Sequence, residues 1–317
     1  MPANSDRIEL RVFTEPQQGS NYRMLLDIAK ATEELGYGAF FRSDHYLKMG
    51  GVSGEPGVTD AWITLAGLAR DTNTVRLGTL LTSNTFRHIG PLAVSVAQVD
   101  EMSGGRVELG LGAGWYDDEH TAFGIPQPSV KDRFDDLEDS LEALDKWWYR
   151  NERGTTFDYT GHNLQLRESP TLTRPVQEQL PLIVGGHGKK RTPSFAARFA
   201  TEFNVPFSPA ADTARINGYV DSACAEVDRD PGTLLRSAAQ VICCGTSDEE
   251  LARRADAIGR DLDELRENGL AGTPEEVVAK ARSYADEAGV SRLYLQFLDM
   301  TDLDHLALVA DKVLPEL

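Results

Sequence analysis

The fold this sequence predicts is an α/β protein, a closed (β/α)8 TIM barrel with an inserted segment near 151–180. Three observations predict it. Short β-rich runs alternate with longer amphipathic ones along most of the 317 residues. No Gly/Ser linker or break in composition divides the chain, which argues for one domain over 1–317. Polar residues also gather where the strand-like runs end, the place where a barrel assembles its site. A doubly wound sheet is the alternative. Its G-x-G-x-x-G turn is missing after the first run, where the chain reads Thr14-Glu15-Pro16-Gln17-Gln18-Gly19.

Each element has a reason in its residues. Residues 8–13 read as the first strand, and 21–35 as a helix stopped by Gly36. Residues 39–43 form the second strand, which runs into the glycine-rich MGGVSGEPG and a helix over 59–70. A third strand over 75–81 precedes a helix over 92–102 that ends at Ser103-Gly104-Gly105. Residues 107–111 make the fourth strand. Residues 132–149 make a long acidic helix ending in Trp147-Trp148, a pair expected in the core. Residues 151–180 break the rhythm and read as an inserted hairpin. Strands then follow over 182–184, 202–205, 238–244 and 292–297, with helices over 192–200, 212–227, 247–267, 274–288 and 305–313.

Lys and Arg number 32 against 50 Asp and Glu, a formal charge of −18. That balance argues against general nucleic-acid binding and against docking on anionic lipid. Any anionic ligand then needs a local cationic cluster. The start MPANSDRIEL has no basic segment followed by an apolar run, so no secretory leader is expected. No stretch reaches the length of a bilayer span. Cys224, Cys243 and Cys244 are too few for a disulfide framework or a spaced metal site. A reduced, cytoplasmic compartment is expected, with the vicinal pair as buried strand.

The strongest motif is Gly185-Gly186-His187-Gly188 followed by Lys189-Lys190-Arg191, between a strand and a helix. Glycines let backbone N–H groups approach an anion, and three cations at a helix start oppose the dipole unless a negative group is bound. A phosphate is the expected ligand; a solvated basic turn is the alternative. Its place after the fifth strand departs from the usual barrel phosphate site after strands seven and eight. Gly110-Leu111-Gly112-Ala113-Gly114 ends another strand and leaves room for a flat ring, or is a plain turn. Ser43-Asp44-His45 places an imidazole beside a carboxylate, a general acid–base pair or a structural one. The remaining histidines lack H-x-x-x-H spacing and no G-x-S-x-G elbow occurs, so neither a catalytic metal nor nucleophilic hydrolysis is expected.

The segment TLLTSNTFRHIGPLAVSVAQVDEMSGGRVELGLGAGWYDDEHTAFG resembles the luciferase-like monooxygenase superfamily, in particular its actinobacterial branch of coenzyme F420-dependent oxidoreductases. Further stretches carrying the likeness are RVFTEPQQG, FFRSDHYLKMGG, TDAWITLAGLAR and LIVGGHGKKRTPSFAARFATEFNVPF. The resemblance implies a bacterial luciferase-like barrel with a deazaflavin across the strand ends. It makes His45 the proton donor or acceptor, or the residue that steers hydride transfer, with Asp44 beside it. A non-prolyl cis peptide is implied at Leu80-Leu81, next to Thr82, with Gly112, Ala113, Gly114 and Trp115 along the cofactor. The turn Gly185, Gly186, His187, Gly188 with Lys189, Lys190 and Arg191 is implied to take the phosphate. Some F420 enzymes carry an acid directly after the G-x-G turn, where this chain has Trp115. Proton delivery is then left to His45, Glu15 or solvent. The implied reaction is hydride exchange between F420 and an unidentified small organic substrate. An F420 or flavin reductase system supplying reduced cofactor and a homodimer are implied as partners. The alternatives are an FMN-dependent two-component monooxygenase and a non-catalytic flavin-binding barrel. The loop over 49–57 and the insertion over 151–180 are the expected lids.

Overall fold

Alternation along the strands sorts side chains into two environments, one inside the barrel and one under the helices. The computed structural model describes residues 7–171 and 173–317. Residues 1–6, part of the segment read for a leader, and residue 172, within the insertion, lie outside the described residues. The strands are β1 (Glu9–Thr14), β2 (Ala39–Arg42), β3 (Arg76–Thr79), β4 (Thr82–Ser83), β5 (Val107–Gly112), β6 (Thr156–Thr160), β7 (Gln165–Pro170), β8 (Leu182–Gly185), β9 (Glu202–Pro206), β10 (Leu235–Cys244), β11 (Leu270–Gly272) and β12 (Arg292–Gln296). The helices are α1 (Tyr22–Glu34), α2 (Ala61–Asp71), α3 (Ile89–Ser103), α4 (Asp117–Phe123), α5 (Val130–Asp145), α6 (Arg191–Phe199), α7 (Ala210–Glu226), α8 (Asp248–Ala257), α9 (Leu262–Asn268), α10 (Pro274–Ala288) and α11 (Leu303–Lys312).

Parallel pairing runs β1-β2-β3-β5-β8-β9-β10-β12, and β12 pairs with β1 to close the barrel. In β1, Leu10 and Val12 face the helices, while Arg11 and Phe13 face inward. The middle layer of the interior is apolar, with Phe13, Phe41, Ile183 and Ala239 together. The lower layer is ionic. Arg11 meets Glu108 at 2.6 Å with both side chains buried, and Tyr294 donates to Glu202 at 2.8 Å. Burial opposes a charged Glu108, but Arg11, Arg292 and Arg76 outweigh it and hold its pKa at about 2.

Three expectations need correction, and one helix is added. The third strand stops at Thr79 and resumes as β4, and the Leu80-Leu81 peptide between them is cis. The single helix over 247–267 is two, α8 and α9: Gly259 takes φ +65° and Asp261 starts the next helix by accepting from the Glu264 N–H. A short helix, α4, follows the G-x-G turn. The insertion forms the β6-β7 hairpin, but it is no lid. It lies between α5 and β8, so it belongs to the amino-terminal end of the barrel, and Trp147 Nε1 donates to Ser169 at 2.9 Å in its second strand. Trp147, Trp148 and the three cysteines are buried, and no helix among the described residues is long and apolar enough to cross a membrane.

Candidate functional site

The carboxyl ends of the barrel strands open into one cavity of about 1330 Å³. His45 and the turn beginning at Gly185, far apart in sequence, share its wall. So do Glu15, Leu80, Leu81, Thr82, Gly112, Ala113, Gly114, Trp115, His187 and Gly188.

His45 is held by a residue the sequence reading did not single out. Its Nδ1 lies 2.9 Å from Glu119 on α4, whose side chain is wholly buried. The same carboxylate accepts the backbone N–H of Leu47 at 3.0 Å and that of Tyr46. An ionised carboxylate only accepts, so the proton of neutral His45 sits on Nδ1. That leaves Nε2 without a hydrogen-bond partner among the described residues. Burial works against the imidazolium; the Glu119 hydrogen bond and charge, with Glu15 and Asp44 nearby, outweigh it and raise the His45 pKa. The ring meets Trp115 edge-on, with centroids 5.8 Å apart. Glu15 accepts from Gln296 Nε2 at 2.7 Å and from Gln17, and burial raises its pKa despite the charge of His45 and these bonds.

Asp44 departs from expectation. Ser43 and His45 line the cavity, and Asp44 between them does not. The Asp44 carboxylate is buried and occupied by Arg87, at 2.6 and 3.3 Å, and by the Thr82 hydroxyl at 3.0 Å. Asp44 thus ties β2 to the segment after β4 and has no route to a ligand in the cavity.

Glycine is required where a side chain would enter the cradle. A Cβ on Gly114 would stand 2.5 Å from Ser83 Oγ, and its φ is +80°. Gly186 has φ +135° and donates to Asn204 O at 3.0 Å. The basic run beside it divides. Arg191 is taken by Asp135 at 2.7 Å and Glu138 at 3.3 Å, while Lys189 and Lys190 are exposed and outside the cavity wall. Two arginines do line the cavity: Arg260, paired with Glu264, and Arg133, in the first turn of α5. Arg133 donates to Gly114 O at 3.1 Å, and its buried Nε has no partner. The Arg191–Asp135 pair brings the starts of α5 and α6 together, so Arg133 stands near the Gly186–Gly188 turn. A glycine-lined cradle, an orphaned guanidinium nitrogen and a free imidazole fit a flat-ringed, phosphate-bearing cofactor. The dipole argument that singled out Lys189 applies equally to Arg133. Glu119 carried a weaker signal, a carboxylate one turn into a helix after the G-x-G.

A family model described as luciferase-like monooxygenase matches residues 8–309. The chain is similar to the F420-dependent glucose-6-phosphate dehydrogenase of Nakamurella multipartita, 31% identical over 180 residues, 56% of this chain and 50% of that protein. It is 30% identical over 141 residues to an uncharacterized protein of Mycobacterium tuberculosis, 44% of this chain and 48% of that one. The chain thus spans about half the length of the curated relatives it matches. Among solved structures, an F420-dependent secondary alcohol dehydrogenase in complex with an F420-acetone adduct superposes with a TM-score of 0.84 at 17% identity, covering 98% of this chain and 99% of that one. Monooxygenase RslO1 from Streptomyces bottropensis gives 0.78 at 22%, covering 97% and 99%. At these identities the likeness is one of fold.

Proposed function

The chain belongs to the luciferase-like monooxygenase family, and from that premise we propose that it is an F420-dependent oxidoreductase in which His45 carries the substrate proton. The observation that carries this reading is the His45–Glu119 pair in the wall of a glycine-lined cavity. When bound, F420 supplies a carbon centre that exchanges a hydride with the substrate. The chain's residues do the rest. Gly112, Ala113 and Gly114 with Leu80, Leu81 and Thr82 would hold the ring, and Trp115 would border it. The N–H of Gly188, with Arg133, would hold the phosphate, and Gly186, its own N–H bonded to Asn204, would leave the room for it. His187 is fixed by Pro206 O at 2.8 Å and shapes the same turn. Lys189 and Lys190 add a screened positive field to the rim.

His45 Nε2 takes the hydroxyl proton of an alcohol, or returns it to a carbonyl oxygen in the reverse direction. Glu119 fixes the tautomer and steadies the imidazolium that results, as the carboxylate does in a Ser-His-Asp triad. Glu15, with its raised pKa, is the second group able to hold a proton at this floor. Asp44 acts on His45 without touching it, by anchoring the backbone beside it and by adding its charge to the field that favours the imidazolium. One barrel domain over 1–317, a cytoplasmic setting, a homodimer and a separate reductase system that cycles F420 belong to the same proposal.

Titration of apoprotein with F420 and with FMN tests it. Saturable F420 binding is expected, with a His45→Ala variant that retains affinity within a few-fold and loses most turnover. Micromolar FMN binding without a response to F420 would turn the reading toward a flavin monooxygenase. Unchanged turnover in His45→Ala would leave a cofactor-binding barrel in its place.

A further inference from the structure

The two halves of the cavity differ in charge. On the side of the Gly186–Gly188 turn stands Arg133, with an unpartnered nitrogen. The rest of the wall comes from the middle of β10, the α8–α9 connection and the turn after β9, where Pro206 O lies 2.8 Å from His187 Nε2. Its one cation, Arg260, is spent on Glu264, with Nη2 2.7 and 2.6 Å from the two carboxylate oxygens. Asp256 adds an exposed negative charge to the same wall. Among the described residues, no unpaired cation faces this half.

Apolar side chains border both parts of the cavity mouth. Trp115 is 63% exposed and Phe207 46%, large values for side chains of this type at a cavity mouth. Trp115 is backed on one face by Tyr116, stacked at 5.3 Å and 26°, which leaves the other face open. Phe207 has φ +42°, a conformation a non-glycine residue rarely holds without a local reason. Ile258, Leu265 and Leu298 continue the lining.

We propose that the substrate is an uncharged, non-phosphorylated alcohol or carbonyl compound whose apolar body lies against Trp115 and Phe207. This rests on the F420 reading, because it assigns Arg133 to the cofactor phosphate. A second phosphate, as on a sugar phosphate, then meets no free cation. It meets a wall whose charged side chains, Asp256, Arg260 and Glu264, sum to a negative charge, in a chain that is itself strongly acidic. A neutral molecule incurs no such repulsion and covers exposed aromatic surface. The hydroxyl or carbonyl oxygen is the only polar group the site needs to address, through His45 Nε2.

The test uses F420-loaded protein and isothermal titration with three probes: cyclohexanone, glucose 6-phosphate and inorganic phosphate. F420 loading is measured first on apoprotein, so failure to take the cofactor strikes the reading itself, separately from the substrate class. With loaded protein, cyclohexanone is expected to bind at least about 10-fold tighter than glucose 6-phosphate, and inorganic phosphate not to compete. Phe207→Ala, a substitution at a half-exposed position, should weaken cyclohexanone roughly 5-fold and leave F420 affinity unchanged. Saturable binding of glucose 6-phosphate as tight as that of cyclohexanone, competition by inorganic phosphate, or no saturable binding of cyclohexanone would each overturn the proposal.

Discussion

Replacing Glu119 with Gln removes a charge and almost no volume, and the structure dictates how the amide must sit. One oxygen of Glu119 accepts two backbone N–H groups, from Tyr46 and Leu47, so the Gln carbonyl must take that place. Its NH2 then faces His45 Nδ1, 2.9 Å away in the parent. An NH2 only donates, so Nδ1 must accept and the ring proton moves to Nε2. The variant thus inverts the tautomer and removes the charge that supports the imidazolium. A hydrogen bond to a charged group contributes about 1.5–3 kcal/mol, which corresponds to roughly 10- to 100-fold in the protonation equilibrium and a similar fall in kcat. The sign follows from the raised pKa of His45: its protonated form persists to higher pH in the parent than in the variant. Two assays read this. Imidazole nitrogen–proton NMR of apoprotein, with His45 assigned by its loss in His45→Ala, should show titration moved to lower pH and the proton on Nε2. The pH profile of kcat should move the same way. A Glu119→Gln titration that overlays the parent's would refute the argument.

Three further outcomes follow from the packing. Arg133→Gln should weaken F420 binding roughly 10-fold and reduce its salt dependence, whereas a Lys189→Ala/Lys190→Ala double variant should matter only at low salt; affinity of Arg133→Gln within 2-fold of the parent's is the opposing result. Glu108→Gln leaves Arg11 buried beside a neutral amide and should cost about 3 kcal/mol in denaturant unfolding at pH 7. Because Glu108 titrates at about 2 when folded and its ordinary value is 4.5, its stabilisation is complete above pH 4.5 and disappears as the pH falls toward 2, so the parent should lose stability across that window more steeply than the variant. His305 adds a second window of the same sign, since burial and Arg254 lower it to about 4 from 6.5 and its Nε2 accepts the Cys244 N–H. Gly114→Ala, at φ +80° and 2.5 Å from Ser83 Oγ, should lower the melting temperature and the F420 affinity together; retention of both would show that the turn relaxes freely.

Period and punctuation in the sequence determined most of this architecture. Residues that alternate, such as Leu10, Arg11, Val12 and Phe13, can only form a strand with two different neighbours, and glycines such as Gly36 and Gly104 end helices because they accept a positive φ. The glycines of the cradle and His45 were legible for the same reason: each is a local requirement of a turn or a strand end. What only the tertiary structure decided is which charges meet. Arg191 and Arg133 are both cations at the start of a helix, yet one is neutralised by Asp135 on a neighbouring helix and the other is left facing the cavity. Asp44 and Glu119 are both buried carboxylates, yet the one next to His45 in sequence serves Arg87 and the distant one serves the imidazole. A side chain's partner depends on where the closed barrel brings other elements in space, and linear spacing carries no record of that.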